Sequence, residues 1–146
     1  MRDQVTRWFF DDYLPLWVGV GSGTIAEGTE FILDYWGVPL HHWTPDGSDW
    51  LLDGAAVVGL LQRNYRRLRA QGYAYTAVPD RRVTIYHRAG AAIEVIWSRC
   101  RADDSEIERL AVHFEVARGP AGWRAVGIQT APTSANALSA AWRGAK

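Results

Sequence analysis

A chain of 146 residues is long enough to bury one substantial hydrophobic core without disulfides or metal, and it calls for no second domain. Sixteen basic residues balance sixteen acidic ones, so the electrostatic footprint of a nucleic-acid or anionic-membrane binder is missing and a small neutral or weakly charged partner is expected. One cysteine, Cys100, excludes an internal disulfide, and no Cys/His cluster has zinc spacing, so no metal or organic cofactor is implied and a reducing cytoplasm is the expected compartment.

The first apolar run, Trp8-Phe9-Phe10, is cut at once by Asp11-Asp12, which is not a signal-peptide pattern. No stretch approaches the ~20 apolar residues of a membrane span, and no membrane partner is expected. Val5, Trp8, Phe9, Asp12, Tyr13, Leu16 and Trp17 recur at steps of three and four, predicting an amphipathic helix over residues 3–18 that Pro15 kinks or ends. Gly19-Val20-Gly21-Ser22-Gly23-Thr24 follows a helix instead of a strand and lacks a Gly-Lys-Ser/Thr ending, so it reads as a connector or lid and not a phosphate loop. Thr24 or Thr29 caps a second predicted helix bearing Phe31, Ile32, Tyr35 and Trp36, which Gly37 ends. Residues 38–43 read as a short strand, Pro45-Asp46-Gly47 as a turn, and 50–52 as the returning strand.

Asp53 is the expected N-cap of a third helix, in which Val57, Leu60, Leu61, Asn64, Tyr65 and Leu68 form a stripe and Arg63, Arg66, Arg67 and Arg69 a solvated face. Gly72 supplies its stop. A strand region over 73–88 is interrupted at Pro79-Asp80 by a bulge or bend. Strands over 91–101, 107–118 and 123–130 follow, with turns at Ala102-Asp103-Asp104-Ser105 and Gly119-Pro120-Ala121-Gly122. Helices first and strands afterwards predict an α+β fold in which residues 83–130 make one antiparallel sheet with helix 54–70 on its concave side. From Pro132 an Ala/Ser-rich tail carries Leu138 and Trp142 at i,i+4, the spacing of a short docking helix, although a frayed end is equally consistent.

This order of elements, together with Tyr35-Trp36-Gly37-Val38-Pro39, Asp53-Gly54, the strand Ala92 to Arg99 and Gly122-Trp123-Arg124, resembles the nuclear-transport-factor-2-like superfamily in its SnoaL-like and ketosteroid-isomerase-like branch. The resemblance covers residues 3–131 and leaves 132–146 as a tail. It implies a cone: a curved antiparallel sheet wrapped around three N-terminal-half helices, enclosing a pocket for a small apolar molecule, with the outer sheet face making a homodimer. Strand parity gives an independent reading of that cone. Ile93, Val95 and Trp97 share one face, as do Leu110, Val112, Phe114 and Val116, so the inner wall is apolar. The outer face then carries Glu94, Ile96, Ser98 and Cys100 beside Ala111, His113, Glu115 and Ala117, a mixed surface suited to an isologous dimer. Eight tryptophans fit either a cavity or a dimer face.

Ketosteroid-isomerase chemistry uses a carboxylate base on the first strand, a tyrosine on helix one and a protonated carboxylic acid on the penultimate strand. By spacing, His42 falls near the base, Trp8 near the tyrosine and Val112 near the acid; valine donates nothing, which disfavours that design. Of His41 and His42, one points inward, and His42 is the candidate general base; the alternative is a partly exposed strand-end histidine. Asp12 interrupts the stripe of helix one, where an unpaired charge is costly, unless it reaches water or an arginine at the flank. Tyr35, with Asp34, sits at the rim as an orienting or merely packing group. The expected wall is Trp8, Trp36, Val95, Trp97, Val112 and Phe114. These residues suggest a small-molecule-binding protein acting by acid/base chemistry on a compact polyketide- or steroid-like ring, or else a non-catalytic binding or dimerisation module whose cone its own tryptophans fill.

Overall fold

The computed structural model describes residues 1–142. Its first element is a helix unbroken from Arg2 to Ser22, in which α1 (Arg2–Thr6) and α2 (Leu14–Ser22) are joined by a π-helical segment, Arg7–Tyr13. Pro15 does not end this helix. The Leu14 N–H bonds five residues back to the Phe9 carbonyl, and this wider winding just upstream accommodates a ring that has no N–H to give. It also slips the apolar stripe by a residue, so Phe9, Tyr13, Trp17 and Val20 are buried while Asp12 is exposed.

The glycine run is a connector only from Gly23 onward, where φ is 84°. Gly19 and Gly21 lie buried inside α2, and a Cβ on Gly21 would stand 2.6 Å from the Tyr65 ring. Glycine here permits close approach to α3 (Gly54–Ala70), whose N-cap Asp53 accepts from the Ala56 N–H at 2.8 Å. The second helix is only a 3-10 stretch, Thr29–Asp34, closed by the Tyr35 N–H on the Ile32 carbonyl. Trp36, expected within that helix, instead opens β1 (Trp36–Thr44), because it already pairs with Ala125.

The hairpin partner of β1 is β2 (Gly47–Leu51), and after α3 come β3 (Tyr73–Ala77), β4 (Arg81–His87), β5 (Gly90–Arg101), β6 (Glu106–Gly119) and β7 (Gly122–Pro132). Sheet order is β2-β1-β7-β6-β5-β3, and β4 also pairs with β5, beyond the break at Pro79-Asp80. Pairing is antiparallel throughout residues 83–130 as expected; the join between β1 and β7 is parallel. Strand parity holds: Ile93, Val95, Trp97, Val112, Phe114 and Val116 form one core with Val57, Leu61, Tyr65 and Leu68 of α3. The curled sheet does not close. α3 touches β1 and β2 near one edge and β3 at the other, spanning the gap.

On the outer face a second small core joins Ile96 and Ala111 to Ala141 and Leu138 of α4 (Leu138–Ala141). The Leu138 N–H donates to Asp80 Oδ2 at 2.8 Å, and the Trp142 indole donates to Glu94 at 3.4 Å. The tail therefore docks on its own body, and its last four positions, 143–146, lie outside the described residues.

Helices α2 and α3 are tied by polar bonds from α3 side chains to carbonyls in the second half of α2. The Tyr65 hydroxyl donates to the Trp17 carbonyl at 2.7 Å, and Arg69 donates to the carbonyls of Val20 (2.7 Å) and Gly21 (3.0 Å). Tyr65→Phe removes a buried bond without changing ring volume, and equilibrium urea unfolding should show a loss of about 1–2 kcal/mol.

Candidate functional site

Along β1 the alternation places Leu40 and His42 on the inner face and His41 and Trp43 on the outer one. His41 stacks between Trp43 and Trp50, each ring 4.3 Å from its own. His42 is thus the inward histidine, and it lines a cavity within the cone together with Tyr13, Trp17, Trp36, Asn64 and Trp97. Arg99, Val112, Phe114, Thr76, Ile128 and Thr130 complete much of the wall. Its volume is about 40 Å³, room for about three waters, since one needs roughly 10–15 Å³ on this measure.

The remaining candidates divide. Trp36, Trp97, Val112 and Phe114 reach the cavity, whereas Val95 is fully buried in the core without lining it. Trp8 and Tyr35 pack on one another at 5.9 Å along a closed seam, with Tyr13 and Trp36 standing between them and the cavity. Burial and the carboxylates of Asp12, Asp34 and Glu27 push the Tyr35 hydroxyl above its usual range. Asp12 faces outward into a surface recess beside Trp8 and Arg124, so it stands at the flank of the helical stripe and reaches water. Much of the cone is filled by its own rings: Phe9 stacks on Trp97 at 6.0 Å and meets Phe114 edge-on at 4.9 Å.

Sequence reasoning missed Arg99 and Tyr13. The parity series Ile93, Val95, Trp97 ends in Arg99, so a cation at an inward position was readable from the same alternation. Its side chain is 8% exposed, its guanidinium lies 4.6 Å from the Trp17 ring, and its partner is Glu108 directly across on β6, at 3.2 Å. Glu108 is shared, because Arg67 on α3 also binds it at 2.8 Å. Burial lowers the tendency of Arg99 to hold its proton, and Glu108 opposes that shift. Tyr13 is kept protonated by burial; the Trp36 indole lies near enough to counter this slightly, without meeting hydrogen-bond geometry.

The His42 imidazole is held below its ordinary value of 6.5, first by burial, with His41 and Arg63 adding to the effect and Asp49 opposing it. A neutral ring near pH 7 can accept a proton. Among the described residues no group of three or more His, Cys, Asp or Glu is placed to hold a metal, and no helix is long and apolar enough to cross a membrane.

A curved, unclosed seven-stranded sheet over N-terminal helices defines a cone-fold α+β protein. The chain belongs to the NTF2-like protein family DUF6841, whose family model matches residues 2–133. Among solved structures it is similar to an NTF2-like protein with a cystatin-like fold from Novosphingobium aromaticivorans, at 23% identity and TM-score 0.65, over 91% of this chain and 82% of that one. A domain of unknown function with a cystatin-like fold from Nostoc punctiforme matches at 15% identity and TM-score 0.64, over 92% and 78%. A candidate ketosteroid isomerase from Parabacteroides distasonis matches at 7% identity and TM-score 0.53, over 82% and 86%. At such identities the likeness is one of fold. No curated protein matches the chain.

The unfolded chain takes up a proton at His42 near pH 6.5, while the folded chain resists it. Protonation therefore favours unfolding, and stability falls as pH drops below about 6.5. His42→Asn should remove that component: its urea midpoint should change less than the parent's between neutral pH and pH 5.5, and the parent's His42 ring should titrate by NMR below 6.5.

Proposed function

We propose that this protein binds a small molecule in the cone cavity, the ligand's apolar part lying against Trp36, Trp97, Val112 and Phe114, and that His42 serves it as a general base. The observation that carries this reading is a void among aromatic residues that polar groups also line: Arg99, which is buried, and His42, Asn64, Thr76 and Thr130, which are half-buried. The same wall holds buried donors without partners, the Trp17 and Trp36 indoles and the Arg99 Nε–H, which are costly in a cone that serves only as a core. The small volume favours a ligand of a few heavy atoms over a polyketide- or steroid-like ring system. The close packing of Phe9, Trp97 and Phe114 supports the second reading, a non-catalytic module filled by its own side chains.

Proton abstraction next to a carbonyl provides the test. In D₂O the protein should accelerate deuterium entry into acetone or cyclopentanone, followed by NMR. His42→Ala should reduce that acceleration by about 10²–10⁴-fold while leaving binding of the ketone intact. Absence of both binding and exchange for these probes would favour the filled module.

The proposal extends to a cytoplasmic homodimer formed through the outer sheet face. Ile96 and Ala111, the apolar centre of that face, are covered by α4 of the same chain, so a second copy must pack over the tail or displace it, using Glu94, His113, Glu115 and the half-buried Ala117. Sedimentation at micromolar concentration should give a dimer, and Glu115→Lys beside His113, which Glu115 binds at 2.9 Å, should shift it toward monomer.

A further inference from the structure

The cavity is charged as well as polar. Arg99 and the titratable His42 face it, and among the described residues its wall contains no aspartate or glutamate. The nearest carboxylate to Arg99, Glu108, is divided between two guanidiniums: Arg67 takes it through two bonds at 2.8 and 3.2 Å, Arg99 through one at 3.2 Å. Two positive groups thus share one negative one, and the member of the trio left short is the one inside the protein.

Hydrogen-bond accounting agrees. The Arg99 Nε–H has no partner, and neither do the indole N–H groups of Trp17 and Trp36, although all three are buried and all three residues line the same void. Buried donors are normally satisfied, and a cluster of unsatisfied ones at a cavity calls for an acceptor. The Trp17 ring also lies 4.6 Å from the guanidinium carbon, a cation–π contact.

Resting on the reading of the cone as a binding cavity, we propose that the ligand is a small monocarboxylate, its carboxylate received by Arg99 and the Trp17 and Trp36 indoles and its short apolar body turned toward Trp97 and Phe114. A carboxylate supplies acceptor oxygens for these donors and the single negative charge that the Arg67–Glu108–Arg99 trio lacks. The one positive charge left over in the trio suits a monoanion better than a dianion such as hydrogen phosphate, and a volume of about 40 Å³ limits the acid to a few heavy atoms, as in acetate or propionate.

Matched pairs differing only in charge test this without altering the protein. Titration of the full chain by NMR with acetate against acetamide, and propionate against propionamide, should show the acid binding about tenfold or more tightly than its amide. Inorganic phosphate should bind more weakly than either acid. Arg99→Met, which keeps the apolar stem, should abolish the preference for acid over amide, and Glu108→Gln, which frees the guanidinium, should tighten acetate binding several-fold. Equal binding of acid and amide, stronger binding of phosphate, or an unchanged acid preference in folded Arg99→Met would overturn the inference. Binding of amides and acetone without acids leaves the cavity reading intact and removes the carboxylate; no binding by any probe removes both.

Discussion

A sheet that curls without closing leaves a gap, and the helix that spans it holds the cone together. Here α3 touches β1 and β2 on one side and β3 on the other, while Tyr65 and Arg69 bind carbonyls of α2. The approach is possible because Gly21 presents no side chain to the Tyr65 ring. Asn64 and Leu60, from the same helix, help to line the cavity, and Arg67 pairs with Glu108. The span that closes the fold is thereby also a wall of the site.

Strand periodicity carried most of the information legible in the sequence. The alternation along β5 and β6 separated inner from outer residues correctly because a sheet buried on its concave side fixes every second position. The first helix was less legible. A three-and-four stripe assumes α winding, and the π segment at Arg7–Tyr13 breaks that assumption, so of the two neighbours on the stripe, Asp12 and Tyr13, only Tyr13 is buried. Trp36 was assigned to a helix because local pattern carries no knowledge of the distant Ala125, with which it pairs.

The site was legible in part for the same reason. His42, Trp36, Trp97, Val112 and Phe114 were accessible from parity and spacing, and they do meet at one cavity. Arg99 lay on the same parity series, but an arginine at a strand end reads as solvent-facing until its cross-strand partner is known to be Glu108, itself claimed by a residue on α3. A docking tail helix was one of two readings of Leu138 and Trp142, but local pattern could not show that Ile96 and Ala111 receive it, since they meet Leu138 and Ala141 only in three dimensions.

The sharing of Glu108 makes the interior answer to the medium outside. Arg67 is 44% exposed and Arg99 8%, so dissolved ions weaken the first pairing far more than the second. Rising ionic strength therefore loosens the hold of Arg67 on Glu108 before that of Arg99. The charge balance inside the cone depends in this way on a pairing made at the surface.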